Sequence, residues 1–441
     1  MKNLAKLNLI FLFFISVSLF AQEKSEKLIL TADDAVSFAL KEHVDIQRSE
    51  ISLKKAKREY KNSWNKVLPS VTASGNASEK KSWADSSTDE VNVTAKFAAD
   101  LSLDTGLASS IKALKSSYEE GKISYEDTVR KTENSVRSEF YHLLYLKEKV
   151  ENSQTTLDSY EKQYEQAKNK YSRGTVTELD LLTAQVNVET AKPNVDSAKT
   201  AFTNALYEFL DAIGIERGTQ VELLGSLDDA DKIAKIERSV LDDCEEKSSE
   251  IKMMQKKLEN AKQTKKSTFS SLFLPTLKLG AEVSPEIYTY DKKAENSTNT
   301  PNWNISVAIS LPIESWIPGS SSSVKVATLG DTVKDYEIQL VDLQKTVRTN
   351  ATEKFEAIEL SQKNIAARKM NVELAQKTYQ MTEEAYNRGT KDMLSLQDAL
   401  SKLSSAKLQL KEEQYSLLSN VLSLETTLSL PSKTFLKSEN K

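Results

Sequence analysis

The residue types that carry covalent or metal chemistry are too few and too scattered here to assemble a reaction centre. His43 and His142 stand alone within helical patterns, where a histidine packs or faces solvent rather than binding metal. Cys244 is the single cysteine, which excludes an intrachain disulfide and fits a small apolar residue in a helix. No glycine loop of the GxxxxGK type is present, and no Ser/His/Asp or Cys/His set emerges from so few candidates. The chain therefore reads as a non-enzyme without a cofactor. The chemistry that does recur is conformational. Tyr171-Ser172-Arg173-Gly174-Thr175 returns as Tyr386-Asn387-Arg388-Gly389-Thr390, each copy between two long helical patterns. A glycine at the end of a Lys/Glu/Gln-rich helix takes the left-handed conformation without a Cβ penalty. The threonine beyond it is expected to help begin the next helix. Each copy reads as a tight turn joining antiparallel helices, and the matched flanks point to a duplicated architecture.

Composition sets the frame for those turns. The chain has 441 residues, a formal net charge of −4, 11 glycines and 8 prolines. Near-neutral charge gives no footprint for nucleic acid, and sparse Gly and Pro favour long helices over a compact α/β enzyme. Met1 to Lys6 is basic, Leu9 to Phe20 is almost wholly apolar, and Ala21 is a small residue before Gln22. This is the pattern of a secretory signal peptide over residues 1–21, with an apolar core too short to span a bilayer. No later run approaches the ~18 apolar residues of a membrane helix. A membrane role would thus have to use strands.

The elements are legible from their periods. Thr31, as N-cap with Asp34 three residues on, opens a helix expected to continue to Trp64 and stop at Leu68-Pro69. The period then becomes two. Val71, Ala73, Gly75 and Ala77 alternate with polar residues, and after a polar stretch so do Val91, Val93, Ala95, Phe97, Ala99, Leu101 and Leu103. The second of these strands exceeds the ~9–11 residues needed to cross a bilayer at a tilt. Helical spacing resumes at Leu107 and holds to Tyr171, about 65 residues or ~100 Å, a length that calls for coiled-coil packing. A return helix follows, in which Pro193 is expected to make a kink or break.

The second half repeats the order. A helix expected over 234–266 leads to Leu274-Pro275, two strands follow, and a long helix runs from about Ser323 to Tyr386 before the second turn and a leucine-rich return. The domain reading is residues 22–225 as a first structural repeat and 226–441 as a second with a C-terminal tail, with strands near 70–103 and 276–312. Helices of about 33 residues before the strands and about 38 after the turns, stacked end to end, match one long helix at ~100 Å. That gives a rod with four strands at one end and both turns at the other. Four strands cannot close a barrel, and lipid tolerates no unpaired edge, so a membrane role requires several chains sharing one barrel. Trp64, Trp83, Trp303 and Trp316 all lie in or beside the strand segments, the distribution of a membrane-interface girdle. A periplasmic coiled-coil adaptor or spacer with a small soluble β domain is the alternative; it leaves the lipid-length strands and clustered tryptophans unexplained.

At this point the layout resembles the TolC family of outer membrane channels over essentially the whole mature chain. The resemblance rests on Leu30-Thr31-Ala32-Asp33-Asp34-Ala35, on the Leu-Pro pairs at Leu68 and Leu274, on Ile309-Ser310-Leu311-Pro312, and on the two turns with their following leucines. It implies a mainly α protein with a small β part. Three chains would share a twelve-strand transmembrane β-barrel, four strands each, joined to an α-helical periplasmic barrel. It implies a passive conduit for drugs, other small molecules or secreted proteins. The implied partners are two further copies, outer membrane lipid, a periplasmic adaptor, and an inner-membrane pump or ABC transporter. The tip turns, with Arg173, Gly174, Thr175, Arg388, Gly389 and Thr390, would dock the adaptor. The family's periplasmic gate aligns with Asp180, Tyr386, Lys391, Ser395 and Asp398. An Asp180–Lys391 pair would latch one hairpin to another, and Asp398 from each chain would form an acidic constriction. Lys391 departs from the arginine of the best-known member and lacks its bidentate geometry. Ser395 replaces an aspartate there.

Overall fold

The structure is a computed structural model that describes residues 27–81, 83, 90–291 and 302–436. The expected signal peptide lies outside the described residues, as do most of the two polar stretches between strands. A short strand β1 (Leu28–Leu30) precedes α1 (Ala32–Glu42). Thr31 caps α1 as its spacing predicts: the Asp34 amide donates to Thr31 Oγ1 at 3.1 Å, and the Thr31 amide donates to Asp34 Oδ2 at 3.1 Å. The single helix expected over 31–64 is in fact two. His43 adopts extended backbone (φ −65°, ψ 125°), and its Nδ1 accepts from the Asp45 amide at 3.3 Å to cap α2 (Val44–Lys61). The isolated histidine thus serves as a helix N-cap.

Strands β2 (Ser70–Lys80) and β3 (Glu90–Leu103) follow, then α3 (Leu107–Ser172), whose 66 residues span ~100 Å. The return helix α4 (Glu178–Ala212) contains Pro193 without ending there. Pro193 and Glu189, whose carbonyl loses its partner, both face solvent, while Val188, Ala191 and Val195 seat the helix on Leu157 of α3. That seam on both sides holds the helix together, and the orphaned carbonyl is free to bind water. Strand β4 (Val221–Leu223) then pairs in parallel with β1, Leu28 opposite Val221.

The helix expected over 234–266 begins later. Residues 227–241 form short 3-10 turns, α5 is one turn (Cys244–Lys247), and α6 runs Ser249–Phe273. Strands β5 (Thr276–Ser284) and β6 (Glu286–Asp291) are one strand interrupted at Pro285, which has no N–H to donate. After β7 (Asn302–Ser310) come α7 (Ser321–Asn387, 67 residues) and α8 (Met393–Thr427).

The membrane-length strands form one antiparallel sheet in the order β2-β3-β5-β7, with β6 continuing β5 beside β3. Its register aligns the apolar positions of every strand. Ala73, Phe97, Val283 and Trp303 form one row, and Val71, Ala99, Ala281 and Ile305 lie on the same face. Thr72, Ala98, Glu282 and Asn304 lie on the other, where Lys96 pairs with Glu282 at 2.7 Å. Among the described residues β2 and β7 each have one neighbour, so both edges of the sheet are open.

The largest apolar cluster sits midway along α3. Phe140, Leu143 and Leu144 pack with Leu30, Phe209, Leu210 and Leu227 and with Leu417 and Leu424 of α8. Here β1, β4, the 3-10 turns and the C-terminal strap 428–436 wrap the helices as a belt. The strap is tied by the Ala234 amide donating to the Phe435 carbonyl at 2.9 Å and by Lys433 Nζ donating to Asp33 Oδ1 at 2.7 Å.

Candidate functional site: the two tip turns and the strand end

Both turns close by the same backbone hydrogen bonds. The Thr175 amide donates to the Lys170 carbonyl at 2.9 Å and the Gly174 amide to the Tyr171 carbonyl at 2.8 Å. The Thr390 amide likewise donates to the Ala385 carbonyl at 2.9 Å and the Gly389 amide to the Tyr386 carbonyl at 3.0 Å. This double closure is a Schellman motif, and it demands the left-handed residue that both glycines supply, Gly174 at φ +71° and Gly389 at φ +79°. A Cβ at either glycine would meet nothing within 4 Å, so backbone conformation alone fixes the residue type. Gly389→Val is expected to destabilise the turn by about 1–2 kcal/mol. Limited trypsin digestion should then cut after Arg388 several-fold faster than in the parent protein, and an unchanged rate would refute this account of the glycine.

The threonines do not begin the next helices. Thr175 Oγ1 donates back to the Lys170 carbonyl at 2.8 Å and Thr390 Oγ1 to the Ala385 carbonyl at 3.0 Å, each finishing the helix before it. The N-caps are Thr177 and Asp392. Thr177 Oγ1 accepts from the Asp180 amide at 3.2 Å and donates to Asp180 Oδ2 at 2.7 Å, and Asp392 Oδ1 accepts from the Ser395 amide at 2.9 Å. The Thr177-to-Asp180 spacing is a capping box visible in the sequence; the glycine-threonine signal beside it drew the boundary two residues early.

Of the five positions expected at a gate, the single chain brings Asp180 and Tyr386 near one another. Tyr386 is buried against Ala167, Ala184, Met393 and Leu396, a small core that joins the two hairpins at the tip. Burial, and then the Asp180 charge, push the Tyr386 phenol above its usual pKa. Its Oη has no hydrogen-bond partner among the described residues. Lys170 Nζ lies 4.1 Å from the centre of the Tyr386 ring and donates to the Tyr386 carbonyl at 3.5 Å, linking α3 to the end of α7. Sequence reasoning missed Lys170, since a lysine in a lysine-rich helix carries no signal of its own. Within the chain Asp180 and Lys391 are not paired with each other: Asp180 serves its own cap, and Lys391 is exposed. Asp398 pairs with Lys402 at 2.6 Å. Arg388 pairs with Glu384 at 3.1 Å, and Arg173, Gly174, Thr175, Gly389 and Thr390 are all exposed.

At the other end the tryptophans fall into two levels. Trp64 lies in the 3-10 turn leading into β2, and Trp316 in the 3-10 turn after β7, where it meets the Phe273 ring edge-on at 5.4 Å. Trp83 and Trp303 lie at the far ends of those strands, with Trp303 75% exposed on the apolar face. No helix among the described residues is long and apolar enough to cross a membrane, and no described group of three or more His, Cys, Asp or Glu is placed to hold a metal ion.

Comparisons with known proteins agree with this geometry. Among solved structures the chain superposes on CusC with TM-score 0.79 at 15% identity, covering 93% of this chain and 95% of that one. The CmeC outer membrane channel of Campylobacter jejuni gives 0.74 at 17%, covering 93% and 87%. The outer membrane protein VceC of Vibrio cholerae gives 0.75 at 16%, covering 91% and 96%. Compared with curated proteins by sequence, the chain finds no match. The model of the outer membrane efflux protein family matches residues 35–214 and 240–429, which is most of the sequence. With long helices and a sheet of membrane-length strands at one end, this chain belongs to the outer membrane efflux protein family and is an outer membrane channel.

Proposed function

We propose that three copies of the chain form one conduit, each giving four strands to a twelve-strand barrel and its helices to a periplasmic tunnel. The observation that carries this reading is the open sheet. Its apolar face is continuous over all four strands while both edges, β2 and β7, lack partners among the described residues. Lipid does not tolerate open edges. An even number of strands per chain leaves β2 and β7 running in opposite directions, so β7 of one copy can pair antiparallel with β2 of the next. Trp64 and Trp316 then lie at the periplasmic interface, and Trp83 and Trp303 at the outer one. Residues 22–225 and 226–441 act as two structural repeats that line the same tunnel.

At the periplasmic tip the exposed turns Arg173–Thr175 and Arg388–Thr390 receive a periplasmic adaptor, which links the channel to an inner-membrane pump. Asp180, Tyr386, Lys391, Ser395 and Asp398 form the gate. Asp180 of one hairpin latches to Lys391 of a neighbouring copy, and the Asp398 carboxylates ring the constriction once they leave Lys402. Sedimentation of the detergent-extracted protein should give three chains per particle. A detergent-free soluble monomer would overturn the channel assembly. In planar bilayers, Asp180→Ala with Lys391→Ala should raise unitary conductance several-fold, and unchanged conductance would remove both residues from the gate.

A further inference from the structure

Midway along the helices, on the face away from the belt, three aromatic rings meet in an open recess. Tyr145 of α3 and Tyr415 of α8 stack with centroids 5.9 Å apart and planes 17° from parallel, and the His142 ring lies 5.4 Å from Tyr415. The recess measures about 520 Å³ and is also lined by Arg368, Gln409, Glu412 and Glu413. Its side of the wall follows from α8. Lys411 and Gln414 reach Asp228 of the belt at 3.3 and 3.0 Å, and at 100° per residue Gln409, Glu413 and Ser416 point the opposite way. In a closed tube of helices the bulky belt takes the outer circumference, so the recess opens on the lumen.

The chemistry of the recess is specific. Aromatic faces carry negative potential and attract cations, most strongly those already weakly hydrated. Two carboxylates, Glu412 and Glu413, stand at its edge. Arg368 also lines it and keeps its positive charge while Nη1 donates to Gln409 Oε1 at 2.6 Å, so the two carboxylates outnumber it. Burial lowers the His142 pKa, with the Glu139 charge opposing, so this ring stays neutral at physiological pH and does not repel a cation.

We propose that this recess is a stopping point on the tunnel wall that retains aromatic organic cations in transit. The inference rests on the channel reading above and deepens it by naming a class of cargo. Three copies place three such recesses at one height, about 50 Å from the strand end of α3. A passing aromatic cation exchanges water for ring faces and carboxylates, while an anion of the same shape meets the same carboxylates as a barrier.

The test uses the full mature protein in planar bilayers, with potassium chloride current measured first. Benzyltrimethylammonium should reduce the unitary current in a saturable way, and benzenesulfonate, an anion of similar shape, should not. Tyr415→Leu, and separately Glu412→Gln with Glu413→Gln, should each raise the half-blocking concentration about tenfold. The two charge changes lie on the surface and keep the trial valid if the tyrosine variant folds poorly. Equal block by both probes, or block unaltered in the charge variant, would overturn the site while leaving the channel intact. Absence of any potassium chloride current would overturn the channel reading, and the site with it.

Discussion

Ile305→Arg should abolish accumulation of the folded protein in the outer membrane, while Asn304→Arg, one residue away, should not. Ile305 is 70% exposed in the isolated chain and sits on the apolar face opposite Ala281. Asn304 sits on the other face opposite Glu282, among polar and charged side chains that include Lys96. An arginine facing lipid near the middle of the bilayer costs about 2–4 kcal/mol, and a shared barrel carries the cost once per chain. In the proposed trimer the penalty is therefore about 6–12 kcal/mol, comparable with the whole stability of a domain. The measurement is the fraction of each variant recovered from outer membranes in protease-resistant form. Equal recovery of the two variants would mean that the apolar face does not meet lipid. The contrast is sharp because a strand sends successive side chains to opposite faces.

Arg137→Met should cost about 1–3 kcal/mol in unfolding of the detergent-extracted protein, less than for a fully buried ion pair because the Asp33 carboxylate is largely exposed. Arg137 is 6% exposed, with Nη2 2.8 Å from Asp33 Oδ1 and 3.2 Å from Glu133 Oε1. Glu425 is fully buried beneath the strap and accepts from the Lys433 and Phe435 amides, each at 3.2 Å. Burial raises its pKa, opposed by those backbone bonds and by the Arg137 charge. Removing the guanidinium leaves a buried carboxylate with less to offset its desolvation. Arg137→Met combined with Glu425→Gln should therefore lose less than the sum of the single changes, and simple additivity would show that the two are not coupled. The pH dependence has two parts of opposite sign. Because the folded Glu425 pKa lies above its unfolded value of 4.5, its contribution is greatest below that value and declines as pH rises toward the folded pKa. Burial would raise Asp33 too, but hydrogen bonds from Lys433 and Arg137 outweigh it and hold the pKa below 3.8. That contribution is present above 3.8 and disappears as pH falls through the folded value. Denaturant midpoints of the parent protein and of Asp33→Asn, followed from pH 3 to pH 7, separate the two.

Much of the protein was open to reading from local pattern. The two long helices, the alternating strands, the glycines of both turns and the cap at Thr31 and Asp34 stand where the residues place them. A helical period, a strand period and a positive φ are each decided within a few residues of chain. The tip core was not legible: Tyr386 was named only as a gate position that the family resemblance implies, and Lys170 lies 216 residues from it in sequence.

What the sequence determined by itself is the long helices, the two faces of each long strand and the place of both turns. Tertiary structure alone decided the rest. It broke the first helix at His43, carried α4 through Pro193, and paired the three-residue strands β1 and β4, which are too short to show a period. It also closed the belt, where Lys433 meets Asp33 across 400 residues, and brought His142 and Tyr145 to Tyr415. The physical reason is common to all of these. Local conformational preferences amount to about a kcal/mol or less per residue, and about 3 kcal/mol for a proline within a helix, and burial of several side chains against a distant segment exceeds them. The identity of that distant segment is not encoded in the spacing of its neighbours.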